Sequence, residues 1–198
     1  MHAMTTSSED PTGSETRRPL VPSSVLGMII FVLTEMMFFG ALISAFLIIK
    51  SGNIMWPPPD QPRLPISLTA VNTMFLVASG VCVYFSNKAF AARSDSWAKK
   101  QLGIAIALAL VFVGIQSYEW VRMLGHGLTM RSSTYGSFFY MIIGCHALHV
   151  FAALTFLIRI YLKFETVALK PSSYWGVQVF WYFVVGVWPV LYYLVYLS

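Results

Sequence analysis

Charge is what this sequence has least of. Eight acidic and thirteen basic residues among 198 leave it 11% charged, against roughly a quarter in an ordinary soluble domain. With a mean hydropathy of +0.68, the chain cannot clothe a water-facing surface, which excludes a soluble globular domain. Cysteine is scarce too. Cys82 and Cys145 both fall inside apolar runs, where they read as small buried hydrophobes and not as a disulfide framework. No signal-type leader stands out: residues 1–24 are polar and expected to be disordered. The apolar run that follows is too long for the core of a cleavable signal and is expected to stay in the membrane. There is no internal repeat of the kind many transporters carry, and no strict apolar–polar alternation that would suit a membrane barrel.

What the sequence does have is long apolar runs, at about 25–49, 66–90, 101–124, 137–161 and 174–197. Each is long enough to cross a hydrocarbon core of about 30 Å at about 1.5 Å per residue. The expected fold is all-α, an integral membrane bundle of five transmembrane helices with short connections. Aromatic residues make up 16% of the chain, as suits side chains at lipid–water interfaces. One connection, Trp56-Pro57-Pro58-Pro59 with Pro62 and Pro65, reads as a rigid surface loop. The basic residues are unevenly shared. Arg17, Arg18, Lys88, Arg93, Lys99, Lys100, Arg159, Lys163 and Lys170 fall on one side, and Lys50, Arg63, Arg122 and Arg131 on the other. That asymmetry predicts an N-terminus inside and a C-terminus outside. It also explains the net charge of +5 as membrane orientation, which excludes a nucleic-acid partner.

The few polar residues inside these runs are the candidate site residues. Glu35 falls near the middle of the first run. A carboxylate at that depth costs about 2.5–3.5 kcal/mol, so it is expected to meet protein, water or a lipid head group, or to be protonated. It reads equally as a lipid-facing or proton-linked group and as a neutral acid bonded to a neighbouring helix. Glu119 stands three residues before Arg122, close enough to share a helix face, and points to a structural role at a helix end. His146 and His149 share a face by their spacing. Metal or heme ligation is one reading. With no Cys or carboxylate partner evident, hydrogen bonding between helices is the preferred one. His126 and His2 complete no ligand set. Asn72 and Thr73 are expected to bond across helices, and Gly27, Gly40, Ala41, Ala78, Ser79 and Gly80 to permit close packing. No catalytic, metal-binding or cofactor-binding residue is expected.

Several motifs in one order give the sequence a family likeness. They are Glu35-Met36-Met37-Phe38-Phe39; Trp56-Pro57-Pro58; Asn72-Thr73 with Ala78-Ser79-Gly80-Val81; Gln116 with Glu119 and a following aromatic; Tyr135-Gly136-Ser137; and Gly144 with His146, Leu148, His149 and Val150. Taken together they resemble subunit III of the heme–copper terminal oxidases, the cytochrome c oxidase subunit III family, in a five-helix form that lacks the first two helices of larger members. The likeness covers residues 30–196. It departs from the family in the last helix, where Tyr182 and Val185 take the places of a histidine and an acid, and in the run Ser132-Ser133-Thr134, which replaces an acid before Tyr135.

The resemblance implies a redox-silent supporting subunit of a proton-pumping oxidase in a bacterial-type cytoplasmic membrane. It implies packing on subunit I, with subunit II nearby and the hemes and copper held by partner subunits. It also implies a family glutamate at Glu35, which lies beside bound phospholipid. Supporting members help the enzyme survive many turnovers and assist proton uptake. The electron donor, cytochrome c or quinol, is left open. Three rival readings are an accessory protein of nitric oxide reductase, a small transporter using Glu35, and a membrane heme enzyme built on His146 and His149.

Overall fold

The computed structural model describes residues 23–53, 66–131, 133–164 and 171–197. Five helices carry them: α1 Ser23–Ser51, α2 Ile66–Ala91, α3 Asp95–Gly125, α4 Thr134–Lys163 and α5 Pro171–Tyr192, the last running into a π-helical turn, Tyr193–Leu197. Among the described residues there is no strand. All five helices are long and apolar enough to cross a bilayer, and each bonds its own backbone, as hydrocarbon requires. The chain is a multi-pass membrane protein. Of the polar tail expected at 1–24, only Ser23 and Ser24 are described, and both belong to α1. The proline-rich loop lies outside the described residues.

The helix ends follow capping chemistry more closely than hydropathy. α2 passes into α3 through a three-residue link, 92–94, closed by Ser94 N–H donating to the Ala89 carbonyl and Arg93 N–H to that of Phe90, both at 3.0 Å. This is a Schellman ending, whose left-handed position is usually glycine; here Arg93 occupies it at φ 57°. The link lets α3 begin at Asp95, before the apolar run that starts at 101. α3 ends the same way, with Leu128 N–H bonded to the Met123 carbonyl at 3.1 Å and Gly127 N–H to that of Leu124 at 3.0 Å. Gly127 supplies the positive φ of 86° without the penalty a Cβ incurs. α4 begins at Thr134 because Ser133 caps it, its hydroxyl accepting from Gly136 N–H at 3.0 Å. Ser133 belongs to the run that replaces the family's acid.

α2 and α3 form the tightest pair. The buried positions of α3 are Ala98, Leu102, Ala105, Ala109, Phe112, Gln116, Glu119 and Met123, alternating by four and three. Those of α2 include Thr69, Asn72, Leu76, Ser79, Val83 and Ser86, alternating by three and four. Such a seven-residue seam is the signature of left-handed, knobs-into-holes packing. α5 lies against α1, α2 and α4 and fills the centre with Trp181, Val184, Trp188 and Leu191, all fully buried. Gly80 admits it closely: a Cβ there would stand 3.1 Å from Val185 Cγ1. Gly27 and Gly40 make no close approach to another helix of this chain: among the described residues nothing lies within 4 Å of where their Cβ would be. α1 is the outlying helix, with only 6% of its apolar window enclosed against 28–44% for the other spans.

Candidate functional site

Among the described residues, several polar joints tie the helices together, three of them through buried or half-buried ionisable or hydroxyl groups. The first is where α2 begins and α3 and the π turn end. Glu119 is buried, on the seam facing α2. The Thr69 hydroxyl donates to both its oxygens, at 3.0 and 3.1 Å, and Gln116 Nε2 donates to Oε2 at 3.1 Å. Gln116 Nε2 also reaches the Tyr196 hydroxyl at 3.3 Å. Asn72 Nδ2 donates to the Phe112 carbonyl at 3.1 Å and to Gln116 Oε1 at 3.3 Å. Three elements thus meet in one buried network. Arg122, expected on the same face as Glu119, is exposed instead, because the buried stripe steps from 119 to 123 and leaves 122 outside.

The second joint lies near mid-span. His149 Nε2 is 3.0 Å from Glu35 Oε2, joining α4 to α1, and the two side chains keep 14% and 19% of their exposure. His149 Nδ1 is 2.7 Å from the Cys145 carbonyl. A carbonyl only accepts, so Nδ1 carries a proton. The Nε2–Oε2 contact then holds one further proton, on either a carboxylic acid facing neutral imidazole or an imidazolium facing carboxylate. Both forms leave the pair with no net charge, which suits its depth. Phe39, Phe180 and Phe183 surround the imidazole, with ring centroids at 5.4, 6.2 and 6.4 Å.

His146, one turn earlier, behaves differently. It is buried and stacks on Trp188 at 5.0 Å and 30°, while Trp188 Nε1 donates to Thr73 Oγ1 of α2 at 2.9 Å. Among the described residues, His146 Nε2 has no hydrogen-bond partner. Its side chain faces mostly apolar neighbours, Phe112, Ile143, Val150 and Trp188 among them, and its contact with α5 is made by ring stacking. The two histidines therefore serve different helices and do not converge. Both nitrogens of His149 are engaged, whereas His146 makes its contact through the face of its ring. Among the described residues no three His, Cys, Asp or Glu side chains gather as a metal-ligand set.

The sequence that forms this five-span bundle matches a known family. The family model for cytochrome c oxidase subunit III matches residues 12–198. The chain belongs to the cytochrome c oxidase subunit III family. Three relatives, each named cytochrome c oxidase subunit 3, illustrate the likeness. That of Thermostichus vulcanus is 28% identical over 87% of this chain and 86% of its own length. That of a Synechocystis species is 32% identical over 87% of this chain and 75% of its own. That of Anopheles gambiae is 32% identical over 86% of this chain and 67% of its own.

The two α5 positions read as departures from the subunit III pattern have different surroundings. Val185 is the residue that meets Gly80, an apolar contact between α5 and α2. Tyr182 borders an apolar groove between α1 and α5 with Met36, Gly40 and Val190.

The third joint was not singled out in the sequence. At the opposite end of the bundle, the buried Ser86 hydroxyl lies 2.7 Å from the Ala98 carbonyl and 2.6 Å from the Tyr174 hydroxyl. It donates to the carbonyl and accepts from the tyrosine, joining α2, α3 and α5. Thr69 and Tyr196 were missed too. Thr69, Asn72 and Ser86 are all on the seven-residue seam of α2, and that spacing is the signal that could have found them.

Proposed function

We propose that this chain is the non-redox subunit III of a proton-pumping heme–copper terminal oxidase, packed on subunit I. The observation that carries the reading is the family match, which spans all five transmembrane helices. The polar groups support it. Glu35, Asn72, Glu119, His146 and His149 act as internal contacts that hold the bundle's shape, and none of them faces a reacting atom. Hemes and copper belong to partner subunits, and electrons pass through those. The poorly enclosed α1, with Met36, Met37 and Ile48 turned outward, offers an apolar face to subunit I or to lipid beside Glu35. In the bacterial-type cytoplasmic membrane expected for such a subunit, the distribution of Lys and Arg favours an N-terminus inside.

The role is to keep the catalytic subunits working. An oxidase complex prepared without this chain should reduce oxygen at first at a rate near that of the complete enzyme and then lose activity within fewer turnovers. Equal working lives for the two preparations would overturn the proposal.

A further inference from the structure

Where α3, α4 and α5 meet lies a cavity of about 40 Å³. Phe112, Gln116 and Trp120 of α3, His146 and Val150 of α4 and Trp188 of α5 line it. Most of that lining is apolar. Two of the lining residues, however, carry a buried nitrogen that has no hydrogen-bond partner among the described residues: His146 Nε2 and Trp120 Nε1. His146 is only 2% exposed. Its ring stacks on Trp188 at 5.0 Å and meets the Phe39 ring edge-on at 6.4 Å. Trp188 is itself anchored, its Nε1 donating to Thr73 Oγ1 at 2.9 Å. A buried polar group without a partner is expensive, most of all in a bundle surrounded by hydrocarbon. Two such groups around one cavity point to a ligand that serves both.

We propose that this cavity holds ordered water, bonded to His146 Nε2 and Trp120 Nε1. The space is sufficient: one water needs roughly 10–15 Å³ of such volume. The chemistry selects water over other occupants. Trp120 Nε1 is a donor only, so the ligand accepts there. Nε2 of a neutral imidazole donates in one tautomer and accepts in the other, and water satisfies either. No charged side chain lines the cavity, and an ion with no counter-charge at this depth is costly. A purely apolar occupant would leave both nitrogens stranded. Ser117, also on the lining, offers a hydroxyl for a further bond, and buried waters typically make about three. The water links α3 to α4 and gives His146 the interhelical hydrogen bond that its ring contacts do not supply. The site rests on the geometry of the bundle alone, so it stands or falls apart from the oxidase reading.

The test is NMR of the full chain in micelles, isotope-labelled at tryptophan, alanine and valine, with the Trp120 indole signal assigned by its absence from W120F. In the wild type the Trp120 indole proton should show a cross-relaxation peak to water, with the sign of a bound and long-lived molecule. H146F keeps a ring to stack on Trp188 but lacks Nε2, and should lose that peak. A147F, which fills the cavity from a lining position, should lose it as well. Xenon pressure should leave the wild-type signals of Ala147 and Val150 where they are, because xenon enters apolar cavities that stay dry. Circular dichroism confirms that each variant keeps its helices. The absence of a water peak in the wild type would overturn the proposal, as would a peak to detergent methylenes in its place. So would xenon-induced shifts at Ala147 and Val150, meaning a dry cavity, or a folded H146F that keeps the water peak, meaning that His146 does not hold it. The two wild-type measurements decide the matter even where a variant fails to fold.

Discussion

Replacing His149 by phenylalanine should destabilise the bundle by about 1–2 kcal/mol, while replacing Glu35 by glutamine should cost less than about 0.5 kcal/mol. The asymmetry follows from the proton count at the α1–α4 joint. Nδ1 of His149 donates to the Cys145 carbonyl at 2.7 Å, so Nε2 is the nitrogen that faces Glu35 at 3.0 Å, and beside an uncharged partner it is an acceptor. A glutamine amide can donate to it and preserve the contact. Phenylalanine fits the ring's surroundings of Phe39, Phe180 and Phe183, but it offers the Glu35 carboxyl nothing. A buried polar group left alone costs about 1–3 kcal/mol, and hydrogen bonds between membrane helices reach about 1.7 kcal/mol at most. The residual exposure of the pair places the expected loss within that range. The double variant E35L/H149F removes both polar partners and should be more stable than H149F alone. Reversible unfolding of the full chain in mixed micelles, followed by circular dichroism during a titration with sodium dodecyl sulfate, measures the wild type, E35Q, E35L, H149F and E35L/H149F. Equal losses for E35Q and H149F, or a double variant as unstable as the sum of E35L and H149F, would refute the argument.

Gly80→Val should cost about 1–3 kcal/mol by forcing α5 away from α2, with partial recovery when Val185→Ala is added, both read from the same titration. Arg93→Gly should raise stability by about 1 kcal/mol, because it removes a side chain from a left-handed backbone position; no change in the unfolding midpoint would count against it. Glu119→Leu should cost about 2–3 kcal/mol by stranding the Thr69 and Gln116 donors. Glu119→Gln, which still accepts from Thr69, should lose less than half as much, and thermal unfolding by circular dichroism would separate the two.

The five spans were legible because nothing competes with them: runs this apolar have one stable form in lipid. Their ends were not. The first turn of α3, with Asp95, Lys99 and Lys100, is too polar for hydropathy to include, and the Schellman link that starts it carries Arg93 where a glycine would have marked a turn. The buried side of α2 was legible in part. Asn72 and Ser79 stood out as candidates for contacts between helices, but Thr69 and Ser86 look like dilute polarity in a linear reading, and only the alternating spacing of all four reveals a seam. Glu119 shows the limit of local pairing. Arg122 was near in sequence, yet the helix turns the carboxylate toward α2 and the guanidinium out. Glu35 and His149, 114 residues apart, were each conspicuous as polar groups in apolar runs, but that they meet depends on how α1 packs on α4, which no local signal encodes.

The proposed role of this chain is that of a redox-silent member of an oxidase complex. Affinity purification of the tagged full chain from native membranes, with identification of co-purifying proteins and an absorption spectrum before and after the chain is separated from them, tests it most directly. Oxidase subunits I and II should be found in the complex, the heme bands should stay with those subunits, and the isolated chain should show no heme absorbance. Heme retained by the isolated chain, or a membrane preparation in which no oxidase subunit accompanies it, would contradict the account.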